Sequence, residues 1–269
     1  MKLATFRVLP DGMSTTLKRI WTITLNTTRE TVRDKLLYSL IAFAVLVIAG
    51  SLLAGSVSLG QDARVIGSFG LTSMLVFLMI ITIFIGTQLV WREVERKTIY
   101  MTLSKPISRE TFYLGKFFGL ALTILISALI MGLIFLAALS YKTHAFSISA
   151  LWAILFIILE GWLLTAIGLL FSSFTSPIAS AIYTFCLVLI GHSSNTIWTI
   201  AQKSQAVVKY PLEFVYYVFP NLEKFNLRNE VIYNFQPSLT QVLATLVYFL
   251  AYTIFLLLLG MTVFKKDEF

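Results

Sequence analysis

Charged side chains are scarce in this sequence: Asp, Glu, Lys and Arg together make up 13% of it. Soluble domains carry about a quarter of charged residues, because their surface must be solvated. Hydrophobic residues make up 58% of the chain, and its mean hydropathy is +0.85. The composition excludes an ordinary soluble domain and indicates an all-α integral membrane protein.

Cysteine and histidine are also rare, which limits the chemistry of any site. The one cysteine, Cys186, lies within an apolar run, so neither a disulfide framework nor a cysteine-based metal site can form within one chain. We predict that it is a small buried hydrophobe. The two histidines, His144 and His192, fall near ends of apolar runs without other ligand-type residues nearby, so no metal is expected.

A P-loop is missing as well. That loop needs Gly-x-x-x-x-Gly-Lys followed by Ser or Thr, so that its backbone cradles phosphate and its hydroxyl holds magnesium. Here Gly115-Lys116 is followed by Phe117, and Glu110 occupies the position of the first glycine. The chain is therefore not expected to hydrolyse ATP by that route, and no cofactor is expected in it.

The basic excess has a membrane explanation. The net charge is +8, but no basic stripe alternates with aromatic residues in a soluble segment, so nucleic acid is not an expected partner. Lys and Arg instead mark cytoplasmic flanks of membrane spans. With both termini in the cytoplasm, fifteen of the 21 basic residues lie inside and six outside. The asymmetry predicts that orientation.

Six apolar runs are long enough to cross a bilayer, which takes about twenty helical residues. They cover residues 37–57, 70–90, 114–139, 150–174, 177–199 and 239–264. The fifth is interrupted by the polar residues His192-Ser193-Ser194-Asn195. Ser176 before Pro177, and Ser238 three positions before Gln241, are typical helix starts. We predict six transmembrane helices within a domain spanning 37–269.

The leader 1–36 contains a segment with helical amphipathicity. Over residues 16–33, Leu17, Trp21 and Leu25 fall near one face, while Lys18 and Arg29 belong to the other. Such a helix lies in the headgroup plane of a membrane. An ordinary solvated leader is the alternative. No apolar core precedes Leu36, so a cleaved signal peptide is not expected.

A second segment that does not span, residues 200–237, is rich in aromatic residues and broken by Pro211 and Pro220. We predict short helices at the outer membrane face before the last span. Backbone at membrane depth is tolerated only when it packs on protein or faces a water-filled path, so the segment is a candidate re-entrant or gate element. The candidate gate residues are Phe214, Tyr217, Phe219 and Pro220.

Glu160 lies near the middle of the fourth run. A carboxylate at that depth costs about 2.5–3.5 kcal/mol, so it is expected to face protein or water. It is either a residue of a translocation path or proton-linked switch, or a structural group bonded to a neighbouring Ser, Thr or Trp. The sequence leaves both open.

The loop 91–116 between the second and third runs is the most distinctive segment. A charged stretch from Trp91 to Lys97 is followed by Leu103-Ser104-Lys105-Pro106-Ile107-Ser108-Arg109 and by Leu114-Gly115-Lys116. With the amphipathic leader, six runs and the apolar outer segment, this pattern resembles the permease subunits of type-2 ABC exporters. One departure is Lys97, where such permeases commonly have a glycine before the threonine.

The resemblance implies a permease with several partners. These are a separate ABC ATPase subunit that holds ATP and Mg²⁺, a second permease copy or a homologous permease, and membrane lipid. It also implies the bacterial cytoplasmic (inner) membrane. The alternative is a scaffold subunit of an ATPase-driven assembly or maturation complex, through which no solute passes.

The resemblance also places the contact with the ATPase in loop 91–116. A short helix over 98–104 would bring Ile99 and Leu103 together one turn apart, Pro106 would end it, and Ser108 would cap the third span. The alternative is an inert turn whose charges only set topology. The expected coupling residues are Glu95, Arg96, Thr98, Ile99, Leu103, Lys105, Pro106 and Arg109.

Overall fold

The computed structural model describes residues 13–56, 62–95, 108–144, 147–227 and 236–266, and these ranges are helical with no strand. The all-α prediction is confirmed. The helices are α1 (Met13–Val32), α2 (Lys35–Ser56), α3 (Asp62–Glu95), α4 (Arg109–Thr143), α5 (Ile148–Ser172), α6 (Pro177–His192), α7 (Ser194–Lys203), α8 (Ala206–Val218), a 3₁₀ helix η1 (Leu222–Phe225) and α9 (Leu239–Lys266).

Between four and six membrane spans fit the described helices. Four single stretches are long and apolar enough: Arg64–Gln88, Arg109–Thr143, Ile148–Ser172 and Leu239–Phe264. Two more arise only if α1 with α2, bent by 65°, and α6 with α7, bent by 58°, each count as one. The second bend coincides with the polar interruption of the fifth run. The six-span layout stays a prediction.

Helix α5 forms the centre of the bundle. Its sequence is apolar on every side, which is typical of a helix surrounded by others, and it packs against α3, α4, α6 and α9. Serine side chains cap several starts: Ser108 for α4, Ser147 for α5 and Ser176 for α6. Ser238 accepts from the Gln241 N–H at 3.2 Å. The predicted starts at Ser108, Ser176 and Ser238 are confirmed.

Helix α1 packs along α4, and the face that carries Leu17 and Trp21 stays exposed; its location in the headgroup plane stays a prediction. Leu17 and Trp21 are each 60% exposed. The buried side is formed by threonines: Thr24, Thr27, Thr28 and Thr31. Thr24 donates to the Gly115 carbonyl at 3.3 Å, and Thr28 donates to that of Gly119 at 3.1 Å.

Two glycines of α4 permit this close packing. A Cβ at Gly119 would lie 2.5 Å from the Thr27 Cβ, and one at Gly115 would lie 2.6 Å from Ile23. Helices approach this closely only where one of them lacks a side chain. This Gly-x-x-x-Gly pair therefore packs within the chain.

The outer segment is folded onto α9. Tyr252 donates to the Val218 carbonyl at 2.7 Å, and the Asn221 N–H donates to the Tyr248 hydroxyl at 2.7 Å. The prediction that Pro211 interrupts a helix is wrong, because α8 continues through this proline. Short helices in this segment are confirmed for the described part; their outer location stays a prediction.

The single cysteine also differs from expectation. Cys186 is exposed on α6, so the prediction of a buried position is wrong. Its neighbours Phe185 and Leu189 are exposed too. None of the described segments therefore covers this side of α6.

Candidate functional site

The buried carboxylate of Glu160 lies against an imidazole. Glu160 is 1% exposed, and its Oε1 lies 2.9 Å from Nε2 of His192. Neither of these two atoms has an aligned hydrogen bond. The residue beside Glu160 is thus a histidine, which was not among the partner types predicted for it.

Helix lengths explain why these two residues meet. Glu160 lies twelve residues before the end of α5, and His192 ends α6 fifteen residues after its start. At 1.5 Å per residue these are rises of about 18 and 23 Å from the short turn between the helices. Two packed antiparallel helices therefore bring them level. The prediction that His192 has no ligand-type residue nearby is wrong for this reason.

A second carboxylate lies on the other side of the ring. Glu223 Oε2 is 3.9 Å from His192 Nδ1, and the Glu223 side chain is 28% exposed. Asn226 donates to Glu223 Oε1 at 2.8 Å, and the Glu223 N–H donates to the side-chain oxygen of Asn221 at 3.0 Å. The imidazole thus stands between a fully buried acid and one that reaches solvent.

A glycine lets the outer segment approach this histidine. A Cβ at Gly191 would lie 2.6 Å from Leu222 Cγ and 2.8 Å from the Pro220 carbonyl oxygen. Leu222 is fully buried, and η1 begins there. The absence of a side chain at Gly191 is what allows η1, and with it Glu223, to sit beside His192.

His192, Glu223 and Asn226 lie at one end of a cleft of about 540 Å³. Its walls are apolar and come from α3 and α6. Helix α3 contributes Leu75, Val76, Met79, Ile80 and Ile83, and α6 contributes Phe185, Val188 and Leu189. His192, Glu223 and Asn226 are the polar lining residues. The arrangement can hold a molecule that has an apolar body and a polar end.

Sequence reasoning found Glu160 but missed His192, Glu223 and Asn226. The available signal was the matched distance of Glu160 and His192 from the turn between the fourth and fifth runs. No comparable signal pointed to Glu223, because its position depends on how η1 folds back. Within the described ranges, no three His, Cys, Asp or Glu side chains are placed to hold a metal ion.

The predicted gate residues do not form one cluster. Phe214 and Tyr217 are exposed on α8, whereas Phe219 is partly buried and Pro220 is buried. Tyr217 instead takes part in an aromatic group with Trp198 and Tyr216, at ring-centroid distances of 4.7–6.0 Å. Of the four residues, Pro220 comes nearest to the Glu160 site, through its contact with Gly191.

Most of the predicted coupling residues lie outside the described ranges: Arg96, Thr98, Ile99, Leu103, Lys105 and Pro106. Glu95 ends α3. Arg109 begins α4, and its Nη1 donates to the Phe264 carbonyl near the end of α9 at 3.3 Å. The Phe112 ring stacks on Phe264 at 6.1 Å. The start of α4 is thereby fastened to the end of α9.

Lys116, at the end of the same loop segment, is buried as well. It is 2% exposed, and its Nζ lies 4.0 Å from Glu30 Oε2 on α1 and 5.5 Å from the Phe112 ring centre. A buried ammonium needs such partners. Helices α1, α4 and α9 are therefore joined around the beginning of α4.

Comparison with models of known protein families assigns the chain to a family. The family model for ABC-2 family transporter proteins matches residues 21–269. A comparison with curated proteins finds no match. Because the match runs from α1 to the last residue and the helices are those of a multi-pass membrane protein, the chain belongs to the ABC-2 transporter family.

Proposed function

We propose that the chain is the transmembrane permease subunit of an ABC exporter, which forms a translocation path and is driven by a separate ATPase. The observation that carries the proposal is the ABC-2 family match over residues 21–269. ATP and Mg²⁺ belong to the ATPase subunit. The complex resides in a bacterial cytoplasmic membrane, with both termini of this chain inside.

The ATPase docks on the loop between α3 and α4. Ile99 and Leu103 enter a groove of the ATPase, and charged residues of the loop, including Glu95 and Arg96, set the register. The expected coupling role of Arg109 is mechanical, since it ties the start of α4 to the Phe264 carbonyl.

Helix α3 links this loop to the cleft. It is continuous over 34 residues, a length of about 51 Å. The cleft residues Leu75 to Ile83 lie 12–20 residues before its end at Glu95, which is about 18–30 Å along the helix. A rigid helix transmits displacement of one end to the other, so loop movement reshapes the cleft.

The path forms between two permease copies, or between this chain and a homologous permease. The α6 side that carries Cys186, Phe185 and Leu189 is exposed, and the cleft lies beside it. His192 and Glu223 form the polar part of the path, with Glu160 buried behind His192 as a candidate switch. The outer segment with Phe214, Tyr217, Phe219 and Pro220 closes the path from outside.

The docking contact can be tested with Ile99→Asp and Leu103→Asp. Each places a carboxylate in an apolar groove, which costs several kcal/mol and is enough to abolish a transient contact. We expect at least tenfold lower co-purification of the ATPase and loss of coupled transport at normal membrane abundance. Leu103→Met is the matched control, and Glu95→Lys should give a smaller, salt-sensitive loss.

Two outcomes separate the alternatives. Full ATPase recovery and coupling in both aspartate variants would show that the ATPase docks elsewhere. ATPase docking without ATP-dependent solute movement in sealed vesicles would favour the scaffold subunit over the exporter.

A further inference from the structure

We propose that the cleft between α3 and α6 binds amphipathic organic cations, with an ammonium or guanidinium group at Glu223 and an apolar body between the helices. Calling this ligand the transported substrate rests on the exporter function proposed above. The binding site itself rests on the shape and charge of the cleft.

The size and lining of the cleft suit a small organic molecule. Its volume of about 540 Å³ lies within the range of about 300–1,000 Å³ that is usual for ligand pockets. Eight apolar side chains form the walls, and three polar residues lie at one end. Such a division favours a ligand with one polar group over a sugar or another uniformly polar molecule.

With Glu223 ionised, the polar end carries net negative charge in every protonation state except the one with a protonated His192 and a neutral Glu160, which is net neutral. If His192 is protonated and Glu160 is ionised, these two cancel and Glu223 leaves a charge of about −1. If His192 is neutral, the net charge is −1 or −2, depending on Glu160. The ligand's charged group is therefore expected to be positive.

No lysine or arginine is among the lining residues described for the cleft. The neighbouring Lys224 is directed elsewhere, because its ammonium lies 4.1 Å from the centre of the Tyr248 ring. Together with Gln241 and Thr245 it lines a neighbouring cleft, which shares Glu223 and Asn226 with this one. Among the described lining residues, an anionic headgroup would thus meet carboxylate and neither lysine nor arginine, and such repulsion selects against it.

Glu223 is placed to receive a ligand cation. It is partly exposed at the cleft, whereas Glu160 is fully buried behind His192. A carboxylate offers about four acceptor positions, and the hydrogen bond from Asn226 uses one of them. Charge-assisted hydrogen bonds from an ammonium to such a group are stronger than neutral ones.

The test is fluorescence titration of the purified full chain in nanodiscs of zwitterionic lipid. Monodansylcadaverine is the cationic probe, and dansyl-aminohexanoic acid carries the same fluorophore with opposite charge. We expect saturable binding of the amine, at least tenfold weaker binding of the acid, and at least tenfold loss of amine affinity in Glu223→Gln. Glutamine keeps the shape and an acceptor for Asn226, so folding is expected to survive.

Two further variants complete the test. Glu213→Gln removes the same charge from α8, outside the cleft lining, and should leave amine binding unchanged. Leu189→Trp fills the apolar wall and should abolish binding. Both variants, and Glu223→Gln, must remain monodisperse by size-exclusion chromatography.

Equal affinity for the two probes, or an unchanged amine affinity in Glu223→Gln, would overturn the proposal. Binding of neither probe by the wild-type chain would also overturn it, and is the result expected if a second copy of the chain fills the cleft. The titration contains no ATPase. If the amine does not bind but the ATPase still docks on loop 91–116, only this inference is removed. If the amine binds but the loop variants do not affect ATPase docking, the binding site remains and the proposed exporter function is removed.

Discussion

At the residue scale, the contact between Glu160 and His192 is the least expected feature of the chain. The sequence identifies Glu160 as costly, because a carboxylate in the middle of an apolar run needs compensation. It does not identify the compensating group, since that requires knowing that α5 and α6 pack antiparallel with little offset. Pairing across helices is a tertiary property that the hydrophobic pattern does not encode.

This contact predicts a specific pattern of stability. His192→Ala leaves the Glu160 carboxylate buried without its neighbouring ring, and breaking a buried pair in this way costs about 3–5 kcal/mol. Glu160→Gln removes the charge instead and should cost less. The double variant contains no buried carboxylate beside the missing ring, so we expect the loss to be smaller than the sum of the two single losses.

The measurement is the thermal midpoint in detergent, together with membrane abundance. Glu223→Gln is the control, because this partly exposed acid lies at the longer distance of 3.9 Å and its loss leaves Glu160 paired. Strictly additive losses in the double variant would show that Glu160 and His192 do not stabilise each other.

At the element scale, the existence of most helices follows from sequence, but the faces they bury do not always follow. The run lengths predicted α2 to α6 and α9, although α3 begins eight residues before its predicted start and α6 ends seven residues before its predicted end. For α1, amphipathicity predicted a helix in the headgroup plane; Leu17 and Trp21 are exposed, and the face packed on α4 is the threonine face, which the sequence pattern did not identify. In a membrane, apolar residues gain nothing by leaving lipid, and small residues let helices approach. Amphipathicity therefore identifies the apolar face of α1 but not the face that packs on α4.

The contact between α1 and α4 predicts a difference between two glycine substitutions. Gly119→Ala introduces a Cβ that would lie 2.5 Å from the Thr27 Cβ, so α1 must move away. We expect a loss of about 1–3 kcal/mol, as in other overpacked contacts. Gly67→Ala on α3 meets open space and should be neutral or stabilising by up to about 1 kcal/mol, because alanine favours helix.

Trypsin provides a readout for this contact. Arg29 is exposed on α1, and cleavage there requires local opening of the helix. Digestion of Gly119→Ala should release the leader faster than digestion of the wild type, and Gly67→Ala should match the wild type. Identical rates in all three proteins would mean that the close approach at Gly119 does not hold α1 in place.

At the scale of the whole molecule, membrane class and family follow from composition and from loop 91–116. The number of spans is less determined, because both bent pairs, α1 with α2 and α6 with α7, combine a long apolar stretch with a polar break. Apolar length alone does not distinguish one broken span from a span plus a surface helix. Orientation, in contrast, rests on charge and can be tested directly.

The positive-inside asymmetry predicts six spans with both termini and loop 91–116 in the cytoplasm and residues 200–237 outside. The test uses single cysteines in a Cys186→Ser background, because the natural Cys186 is exposed and could itself be labelled. A membrane-impermeant maleimide should label Lys209→Cys and Lys224→Cys in sealed cells. Arg96→Cys should react only after permeabilisation, since moving the basic loop across the membrane opposes the charge rule. Labelling of Arg96→Cys in sealed cells, with the protein at normal abundance, would show that the orientation is the reverse of the predicted one. The loop proposed to dock the ATPase would then lie on the side of the membrane opposite to its partner.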